Sequence, residues 1–240
     1  MTTKQTVLIT GASGGIGQGM ARAFGQAGWN VVIAARRLAV LQEVADEISA
    51  AGGTVCAVEL DITSEDACNG AKQMVESTFG SLDLLINNAG YLGPRVPVTE
   101  MSSSEMRRSL EVNILGTFQM VRTFLPMLRD SANGRIVNIS SYLGRHAMPD
   151  CAAYVAGKFG LEGITQSVHE EEHEKGIVCV SLGPGMVATD MLKNYLGEDD
   201  VSMHRSPLDV GKATVRMADS LQQSHAGMKL DLDPWMEGEE

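Results

Sequence analysis

The sequence predicts an α/β fold in which a doubly wound parallel sheet of about seven strands carries helices on both faces. The first observation behind this prediction is a set of short runs rich in Val, Ile and Leu, most of them nearly continuous, as strands covered on both faces require. These runs are Val7–Thr10, Asn30–Ala35, Val55–Leu60, Leu82–Asn87, Arg135–Ser140 and Ile177–Gly183, with a seventh around Met228–Leu232. The second observation is that stretches with helical periodicity separate the runs, at roughly 16–28, 37–51, 64–79, 101–129, 152–175 and 207–219.

Glycines end several of the helical stretches, and one segment after the sixth strand lacks regular periodicity. Four glycines stand where a helix C-cap favours this residue: Gly28, Gly52, Gly80 and Gly176. Because no Pro- or Ser-rich linker and no repeat interrupts the pattern, residues 1–240 are interpreted as one domain. Ligands of open α/β sheets bind outside the carboxyl ends of the strands, so residues 190–206 are interpreted as a substrate lid, with a solvated surface loop as the alternative.

The composition excludes several classes of protein. Of the 240 residues, 44% are hydrophobic and 20% are charged, which is typical of a globular domain and excludes disorder and fibres. The 30 acidic and 19 basic residues give a net charge of −11, which disfavours a nucleic-acid partner because such proteins bind through a basic face. No run approaches the roughly 18 apolar residues of a membrane span, and the polar start Met1–Thr6 leaves no room for a secretory signal. A cytoplasmic protein without membrane contact is therefore expected.

The four cysteines show no C-x-x-C spacing, which predicts reduced thiols that act as small core residues. They are Cys56, Cys68, Cys151 and Cys179. Cys151 is the one that falls close to the candidate site described next.

A glycine-rich turn joins the first strand to the first helix. Glycines at such a turn let the backbone approach a pyrophosphate closely, while the helix N-terminus supplies N–H groups and partial positive charge. The spacing is G-x-x-x-G-x-G rather than the common G-x-G-x-x-G. The alternative is a merely tight connection, but the position at the first strand–helix junction favours phosphate binding. The residues of this turn are Gly11, Ser13, Gly14, Gly15, Ile16 and Gly17.

The end of the second strand indicates the choice of dinucleotide. A fold that binds NAD(H) places an acidic residue there, on the ribose 2′-hydroxyl. This chain has Arg36 and Arg37 instead, and guanidinium groups suit bidentate contact with a 2′-phosphate. The pair therefore predicts NADP(H), with a solvated helix start as the alternative.

A tyrosine and a lysine lie one helical turn apart in the fifth helical stretch. Tyr154 and Lys158 stand at i and i+4, so they share a helix face. A phenol with a pKa of about 10 is a poor acid at neutral pH, and a nearby ammonium would lower that pKa. The pattern gains weight because Ser140–Ser141 and Asn87–Gly90 end the fifth and fourth strands at the same edge of the predicted sheet.

With these motifs in order, the chain resembles the classical short-chain dehydrogenase/reductase (SDR) family from Thr10 to about Asp233. The resemblance implies a single-domain Rossmann-type fold and an oxidoreductase similar to NADP(H)-preferring carbonyl reductases and 3-oxoacyl reductases. Ser141 is the expected catalytic serine, because it precedes the tyrosine by the spacing that is usual in the family. The matching motifs are Thr10–Gly17, Asp61-Ile62-Thr63, Asn87-Asn88-Ala89-Gly90, Asn113 within Val112-Asn113-Ile114, Ser141, Tyr154-x-x-x-Lys158 and Pro184-Gly185-x-x-x-Thr189.

The resemblance also implies a role for each catalytic residue. Tyr154 would donate a proton to the carbonyl oxygen as hydride arrives from the nicotinamide, and Ser141 would hydrogen-bond that oxygen. Lys158 would hold the nicotinamide ribose and lower the tyrosine pKa, and Asn113 would anchor a water that relays protons from Lys158 to solvent. The remaining cofactor contacts that the family implies are Asp61 and Ile62 at the adenine, Asn88, Ala89 and Gly90 along its ribose, and Val187 and Thr189 at the carboxamide. Pro184 and Gly185, with Tyr154 and Lys158, complete the expected cofactor-binding set.

Three departures from the family pattern carry expectations of their own. The family often has a basic residue at the position of Gly14, so Arg36 and Arg37 must supply the NADP preference. The last strand usually ends in Asp-Gly-Gly, whereas here Asp231-Leu232-Asp233 precedes Pro234-Trp235, which makes a homodimer credible beside the usual homotetramer. The segment 191–206 is short for the family's lid and indicates an open pocket.

Two further patterns bear on ligands. His169-Glu170-Glu171-Glu172-His173 satisfies the H-E-x-x-H spacing of zinc proteases, but its acidic flanks favour a solvated helix surface, so no metal is expected. The predicted pocket is rich in methionine, which adapts to irregular apolar ligands and favours a hydrophobic carbonyl substrate, with core filling as the alternative. The side chains expected to surround this pocket are Tyr91, Leu92, Met148, Met186, Met191 and Met203.

The function predicted from these observations is reversible, NADPH-dependent reduction of a ketone or aldehyde to an alcohol, with a small-molecule substrate. The alternative is a non-catalytic NADP(H)-binding sensor on the same fold, because fold alone does not settle function. The complete set Asn113, Ser141, Tyr154 and Lys158 favours the enzyme, since a protein that only binds the dinucleotide has no need of it.

Overall fold

The computed structural model describes residues 4–236, and seven parallel strands form a single sheet there. The strands are β1 (Thr6–Thr10), β2 (Asn30–Ala35), β3 (Thr54–Glu59), β4 (Leu84–Asn87), β5 (Arg135–Ile139), β6 (Val178–Gly183) and β7 (Lys229–Asp231). Their order across the sheet is β3-β2-β1-β4-β5-β6-β7. The chain therefore winds outward in both directions from β1 and β4, as the alternating pattern predicts.

Eight α-helices connect the strands within the described range: α1 (Gly15–Gln26), α2 (Leu38–Ala50), α3 (Glu65–Phe79), α4 (Ser103–Leu110), α5 (Thr117–Asp130), α6 (Ala152–Glu172), α7 (Asp190–Leu196) and α8 (Pro207–Ser220). The four glycines expected to end helices all have positive φ, between 74° at Gly80 and 86° at Gly28 and Gly176. Serine side chains cap the starts of α3, α4 and α8, because each accepts a bond from a backbone N–H of the first turn.

Two element predictions were incomplete. The stretch 101–129 is helical from Ser103 to Asp130, but a π-helical turn over Glu111–Gly116 interrupts its regular α-helical geometry between α4 and α5. The region 190–206, which shows no clear periodicity in the sequence, begins with the short helix α7. Thr189 starts this helix by accepting a hydrogen bond from the N–H of Leu192 at 3.2 Å, which is an ordinary N-cap.

A separate apolar core covers each face of the sheet. Along β1, Val7 and Ile9 pack into the core under α1, α2 and α8, while Leu8 points into the core under α3 and α5. All three are fully buried, which explains why the sequence of this strand is a continuous apolar run rather than an alternating one. Helix α6 joins the second core through Val168.

Helices α1 and α8 approach each other at glycine. A Cβ placed on Gly19 would lie 2.0 Å from the carbonyl oxygen of Pro207, and one on Gly211 would lie 2.4 Å from the carbonyl oxygen of Gly19. Backbone packs directly on backbone here, and α8 is thereby fixed against the helix that begins at the glycine-rich turn. Among residues 4–236, none of the helices has the length and apolar character needed to cross a membrane.

Candidate active site

The motifs found in the sequence meet at one edge of the sheet. β1, β4, β5 and β6 are neighbours and parallel, so their carboxyl ends, at Thr10, Asn87, Ile139 and Gly183, lie side by side. The chain reverses its winding direction between β1 and β4, and a crevice for ligands forms at such a point in open α/β sheets. The glycine-rich turn follows β1 and Ser141 follows β5, which places them at this edge.

The glycine-rich turn is packed tightly inward and open outward. A Cβ on Gly11 would lie 2.9 Å from the Cα of Ala89, and one on Gly17 would lie 2.5 Å from the carbonyl oxygen of Gly11. At Gly14, by contrast, no described atom apart from its chain neighbours lies within 4 Å of a Cβ position. No side chain within residues 4–236 caps α1 at this end, and its first turn carries no acidic residue. Free N–H groups at an open glycine turn fit the phosphates of a dinucleotide.

The side chain of Asn88 fixes the position of the glycine-rich turn by hydrogen bonds to its backbone. Its side-chain Nδ2 donates to the carbonyl oxygens of Thr10, at 2.9 Å, and Gly11, at 3.3 Å. The Thr10 hydroxyl in turn accepts from the backbone N–H groups of Asn88 and Ala89, both at 3.0 Å. The side chain expected to line the adenine ribose is thus already engaged with protein, so its contribution at this site is to fix the position of the turn.

Arg36 and Arg37 lie beside the turn on the exposed end of β2. Nη2 of Arg37 is 3.4 Å from the hydroxyl of Ser13. Arg36 lies close enough to Asp61 to lower its pKa, and together with two hydrogen bonds from Thr63 it outweighs the raising effect of burial. Both guanidinium groups therefore border the same crevice as the glycines, and Ile62 is buried next to Asp61.

Lys158 is the most deeply buried cation of the site. Its residue is only 3% exposed, and Nζ donates to the carbonyl oxygen of Ile139, the last residue of β5, at 2.6 Å. Burial lowers the pKa of Lys158 to about 8, although the charge of Glu162 opposes the shift. The ammonium lies 5.7 Å from the ring centre of Tyr154, one turn earlier on α6.

Tyr154 does not show the lowered pKa expected from Lys158. Burial raises the pKa of Tyr154 to about 12, and a hydrogen bond with the Ser141 side chain opposes this only partly. Desolvation outweighs the favourable contacts, because a phenolate in this crevice would lose its hydration. The expected depression by Lys158 is therefore absent from this structure, in which Tyr154 is a protonated phenol at neutral pH.

Ser140 and Ser141 have different surroundings. The Ser140 hydroxyl is buried and donates to Oε1 of Glu162 at 2.5 Å, away from the crevice. The Ser141 hydroxyl caps the short 3₁₀ turn Tyr142–Gly144 by accepting from the N–H of Leu143 at 3.1 Å. Since Ser141 also contacts the side chain of Tyr154, the serine and the phenol share one place at the edge.

Asn113 is fully buried within the π-helical turn and clamps the segment after β4. Its Oδ1 accepts from the N–H of Tyr91 at 2.9 Å, and its Nδ2 donates to the carbonyl oxygen of Tyr91 at 2.8 Å. Gly157 gives it room, because a Cβ there would lie 2.8 Å from Asn113 Nδ2. Gly90 lies between Asn113 and Lys158, since a Cβ on it would be 3.2 Å from Asn113 Oδ1 and 3.7 Å from Lys158 Nζ. The water relay expected at Asn113 stays a prediction.

The segment after β6 forms the opposite wall. The methyl group of Thr189 lies 3.1 Å from a Cβ position on Gly15, so the segment reaches across the glycine-rich turn. Val187 is buried and pairs with Arg205, whose Nη1 donates to the carbonyl oxygen of Pro184 at 3.0 Å. Gly185 has a φ of 75°, a conformation that favours glycine, and a Cβ on it would lie 2.8 Å from that same guanidinium.

Two residues that the sequence analysis missed border the substrate side. Arg95 donates to the carbonyl oxygen of Tyr195 at 2.5 Å, and its guanidinium lies 4.8 Å from the centre of the Tyr195 ring. The hydroxyl of Tyr195 is 3.4 Å from the sulfur of Met148. Burial and the nearby Cys151 raise the pKa of Tyr195. Tyr195 thus extends from α7 over the Tyr154 region, and the segment expected to be a lid contacts the loop after β4.

A cleft of about 620 Å³ opens beside this contact. It is lined by Tyr91, Leu92, Gly93, Pro94, Arg95, Glu105 and Asn194. The phenol of Tyr91 donates to Glu105 at 2.6 Å, and this hydrogen bond raises the pKa of Tyr91. The four methionines expected here are all exposed, at 43% for Met148, 54% for Met186, 41% for Met191 and 85% for Met203. Of these, Met148 borders Tyr195.

The H-E-x-x-H segment does not build a metal site. Within residues 4–236, no group of three His, Cys, Asp or Glu side chains is arranged to hold a metal ion. Nδ1 of His173 contacts the carbonyl oxygen of His169 at 2.9 Å. The stretch is nevertheless not wholly solvated as expected, because Glu172 is 1% exposed and binds Arg129 through both carboxylate oxygens.

Comparison with known proteins agrees with this geometry. A family model described as short chain dehydrogenase matches residues 5–200. Cyclohexanol dehydrogenase of Acinetobacter sp. (strain SE19) is 34% identical over 200 residues, which cover 83% of this chain and 80% of that protein. A solved structure of 3-ketoacyl-(acyl-carrier-protein) reductase from Brucella melitensis, complexed with NADH, superimposes with a TM-score of 0.86 at 29% identity, covering 96% of this chain and 97% of that one. A variant of actinorhodin polyketide ketoreductase with NADPH also gives a TM-score of 0.86, at 25% identity and 95% coverage of both chains. The chain therefore belongs to the short-chain dehydrogenase family of oxidoreductases.

Proposed function

We propose that this protein is an NADP(H)-dependent oxidoreductase that interconverts a ketone or aldehyde and the corresponding alcohol. The observation that carries the proposal is the meeting of Tyr154, Ser141 and the buried Lys158 beside a glycine-rich turn at one edge of the sheet. The relatives support the reaction class, because one is a cyclohexanol dehydrogenase and another a ketoacyl reductase. A bound nicotinamide would supply or accept the hydride.

The protein's own residues would manage the proton and the oxygen. In reduction, the Tyr154 hydroxyl donates its proton to the substrate oxygen, and its raised pKa means that the proton is present at neutral pH. The Ser141 hydroxyl hydrogen-bonds the same oxygen and orients the carbonyl. As the phenolate forms, the Lys158 ammonium stabilises it by its charge, which acts more strongly in a buried site than in water.

The cofactor and substrate classes follow from the two ends of the crevice. Arg36 and Arg37 border the glycine-rich turn and suit a 2′-phosphate, and a ketoreductase of the same fold binds NADPH. At the other end, Tyr195, Met148 and Cys151 give an apolar wall close to Tyr154. We propose a small apolar ketone as substrate, since the ring of Tyr195 and the thioether of Met148 favour carbon over charge.

The test is NADPH consumption, followed by absorbance, across cyclic and open-chain ketones, diketones, aldehydes and 3-oxoacyl thioesters. We expect turnover that prefers NADPH to NADH and that falls by about 10²- to 10⁴-fold in Tyr154→Phe. Calorimetry of NADPH binding should give similar affinity for the wild type and the variant, because the phenol oxygen alone is lost. Turnover unchanged by Tyr154→Phe would refute the mechanism. Tight NADPH binding without turnover of any substrate would favour a non-catalytic binding protein.

A further inference from the structure

We propose that Glu162 is a positioning residue that controls the charge of Lys158 and ties the catalytic helix to the strand end before Ser141. Glu162 follows Lys158 by one turn of α6, so the two side chains share a helix face. They contact consecutive residues of the chain. Lys158 Nζ binds the carbonyl oxygen of Ile139, and Glu162 Oε1 accepts from the hydroxyl of Ser140 at 2.5 Å.

The carboxylate of Glu162 is buried, and the surrounding residues hold it in one position. It is only 3% exposed, and its second oxygen, Oε2, accepts from the hydroxyl of Ser181 on β6 at 2.6 Å. A Cβ on Gly144 would lie 3.2 Å from Oε1, so the 3₁₀ turn after Ser141 packs directly on it. A buried carboxylate is costly unless it is hydrogen-bonded or paired, and here the two serine hydroxyls supply a hydrogen bond to each oxygen. These bonds hold the carboxylate one helical turn from Lys158.

A chain of charges connects Glu162 to the edge of the sheet. Nε of Arg145 lies 3.9 Å from Oε1 of Glu162 and has no hydrogen-bond partner among residues 4–236. The guanidinium is held instead at its other end, where Nη1 donates to both oxygens of Asp231 at 3.1 Å. Arg145 follows the catalytic serine by four residues and Asp231 belongs to β7. This arrangement fixes the loop after Ser141 between α6 and the last strand.

Among the groups packed around Lys158, Glu162 is the one whose charge acts on the ammonium. On α6 itself the neighbours are Tyr154 and Glu162, and β5 contributes the carbonyl oxygen of Ile139. Gly90 approaches from the segment after β4, with Asn113 of the π-helical turn on its other side. Of these described groups, only Glu162 has a carboxyl group. Burial lowers the pKa of Lys158, and the charge of Glu162 opposes that shift. Neutralising Glu162 should lower the pKa of Lys158 further.

The experiment measures the titration of Lys158 directly in the full chain without ligand. The protein has seven lysines, so labelling their Cε atoms with ¹³C gives few resonances, and that of Lys158 is the one missing from Lys158→Arg. We expect Glu162→Gln to lower the midpoint of Lys158 by on the order of one pH unit. Ser181→Ala is the matched control, because it removes a hydrogen bond to the same carboxylate but keeps the charge, and its midpoint should equal that of the wild type.

A second variant covers the case in which Glu162→Gln does not fold. Arg145→Met removes the positive charge 3.9 Å from Glu162 and should move the Lys158 midpoint upward, opposite to Glu162→Gln. Midpoints that are the same in the wild type and in every folded charge variant would overturn the proposal. So would a shift in Ser181→Ala as large as that in Glu162→Gln, since the hydrogen bonds and not the charge would then be responsible.

The second measurement, which rests on the proposed function, is the pH dependence of kcat/KM with NADPH. Protonated Lys158 stabilises the developing phenolate, so activity should fall as the pH rises through the Lys158 pKa. In Glu162→Gln this alkaline fall should begin at a lower pH, by the same amount as the titration midpoint moves. The two proposals fail separately: a titration shift without turnover in the wild type refutes the enzyme, while turnover with an unmoved midpoint and an unmoved profile refutes the role of Glu162.

Discussion

At the scale of single residues, the buried ammonium of Lys158 destabilises the folded state. Lys158 is almost fully buried, and its pKa is lowered from 10.5 to about 8, so the folded protein binds this proton less tightly than the unfolded chain does. Below pH 8 both states carry the proton and the folded state bears the cost of burying it. Between pH 8 and 10.5 the folded state has released the proton while the unfolded chain retains it, so stability due to this residue increases with pH.

Replacing Lys158 by methionine should therefore stabilise the fold while it abolishes activity. At pH 7 we expect the free energy of unfolding to increase by on the order of 1 to 3 kcal/mol, which is the proton penalty less the lost bond to Ile139. The gain should shrink as the pH rises from 8 to 10, as measured by urea unfolding at several pH values. Lys212→Met, at an exposed lysine, is the control for the loss of one positive charge. A variant that is less stable at pH 7, or a gain that grows with pH, would contradict this account.

The arginine pair makes a second prediction at this scale. Changing Arg36 and Arg37 together to alanine should raise the KM for NADPH by about 10- to 100-fold, since charge-assisted hydrogen bonds to a phosphate are lost. The KM for NADH should change little, because that cofactor has a hydroxyl at the same position. Arg22→Ala, which removes an arginine paired with Glu47, serves as the control. Equal changes for both cofactors would show that the pair acts only as surface charge.

Among the elements, the helices that hold the site are defined by close backbone contacts as much as by apolar faces. Gly19 of α1 lies against the start of α8, and Gly157 of α6 lies against Asn113. Neither contact is visible in the hydrophobic period of its helix, because glycine contributes no side chain to that pattern. The sequence predicts the existence of these helices from periodicity and their ends from Gly28, Gly52 and Gly80, but it does not predict which helices touch.

A substitution at Gly19 tests the contact between α1 and α8. A Cβ on Gly19 would lie 2.0 Å from the carbonyl oxygen of Pro207, so Gly19→Ala should force the helices apart and lower the free energy of unfolding by about 1 to 3 kcal/mol. Gly70→Ala in α3 is the matched control, because no described atom apart from its chain neighbours and the nearby backbone of α3 lies within 4 Å of a Cβ there. That control should gain about 0.5 to 1 kcal/mol from helix propensity. Thermal or urea unfolding of both variants gives the comparison, and a stabilised Gly19→Ala would refute the packing argument.

For the molecule as a whole, the order of the strands, helices and motifs could be predicted from the sequence. The contacts between residues that are far apart in the sequence could not. Seven parallel strands, the phosphate turn and the edge shared by Ser141 and Tyr154 follow from local patterns, because each pattern lies within a few residues. Arg95 and Tyr195 are 100 positions apart, and Arg145 and Asp231 are 86 apart. No spacing rule links residues so distant, so these contacts and the roles of Tyr195 and Glu162 emerge only from the fold. The homo-oligomer expected from the family stays a prediction.

The π-helical turn at Glu111–Gly116 restricts how the length of this chain can change over evolution. Removing one residue there, for example the exposed Leu115, would let α4 and α5 join as one regular helix with better backbone hydrogen bonding. The helices on either side would keep nearly the same orientation, because the wider π turn accommodates the one extra residue, but the residues inside the turn would change direction. Asn113 would be withdrawn from the backbone of Tyr91, and the segment after β4 would lose its clamp. Such a deletion would make the helix more regular, but it would be selected against because it disrupts the site.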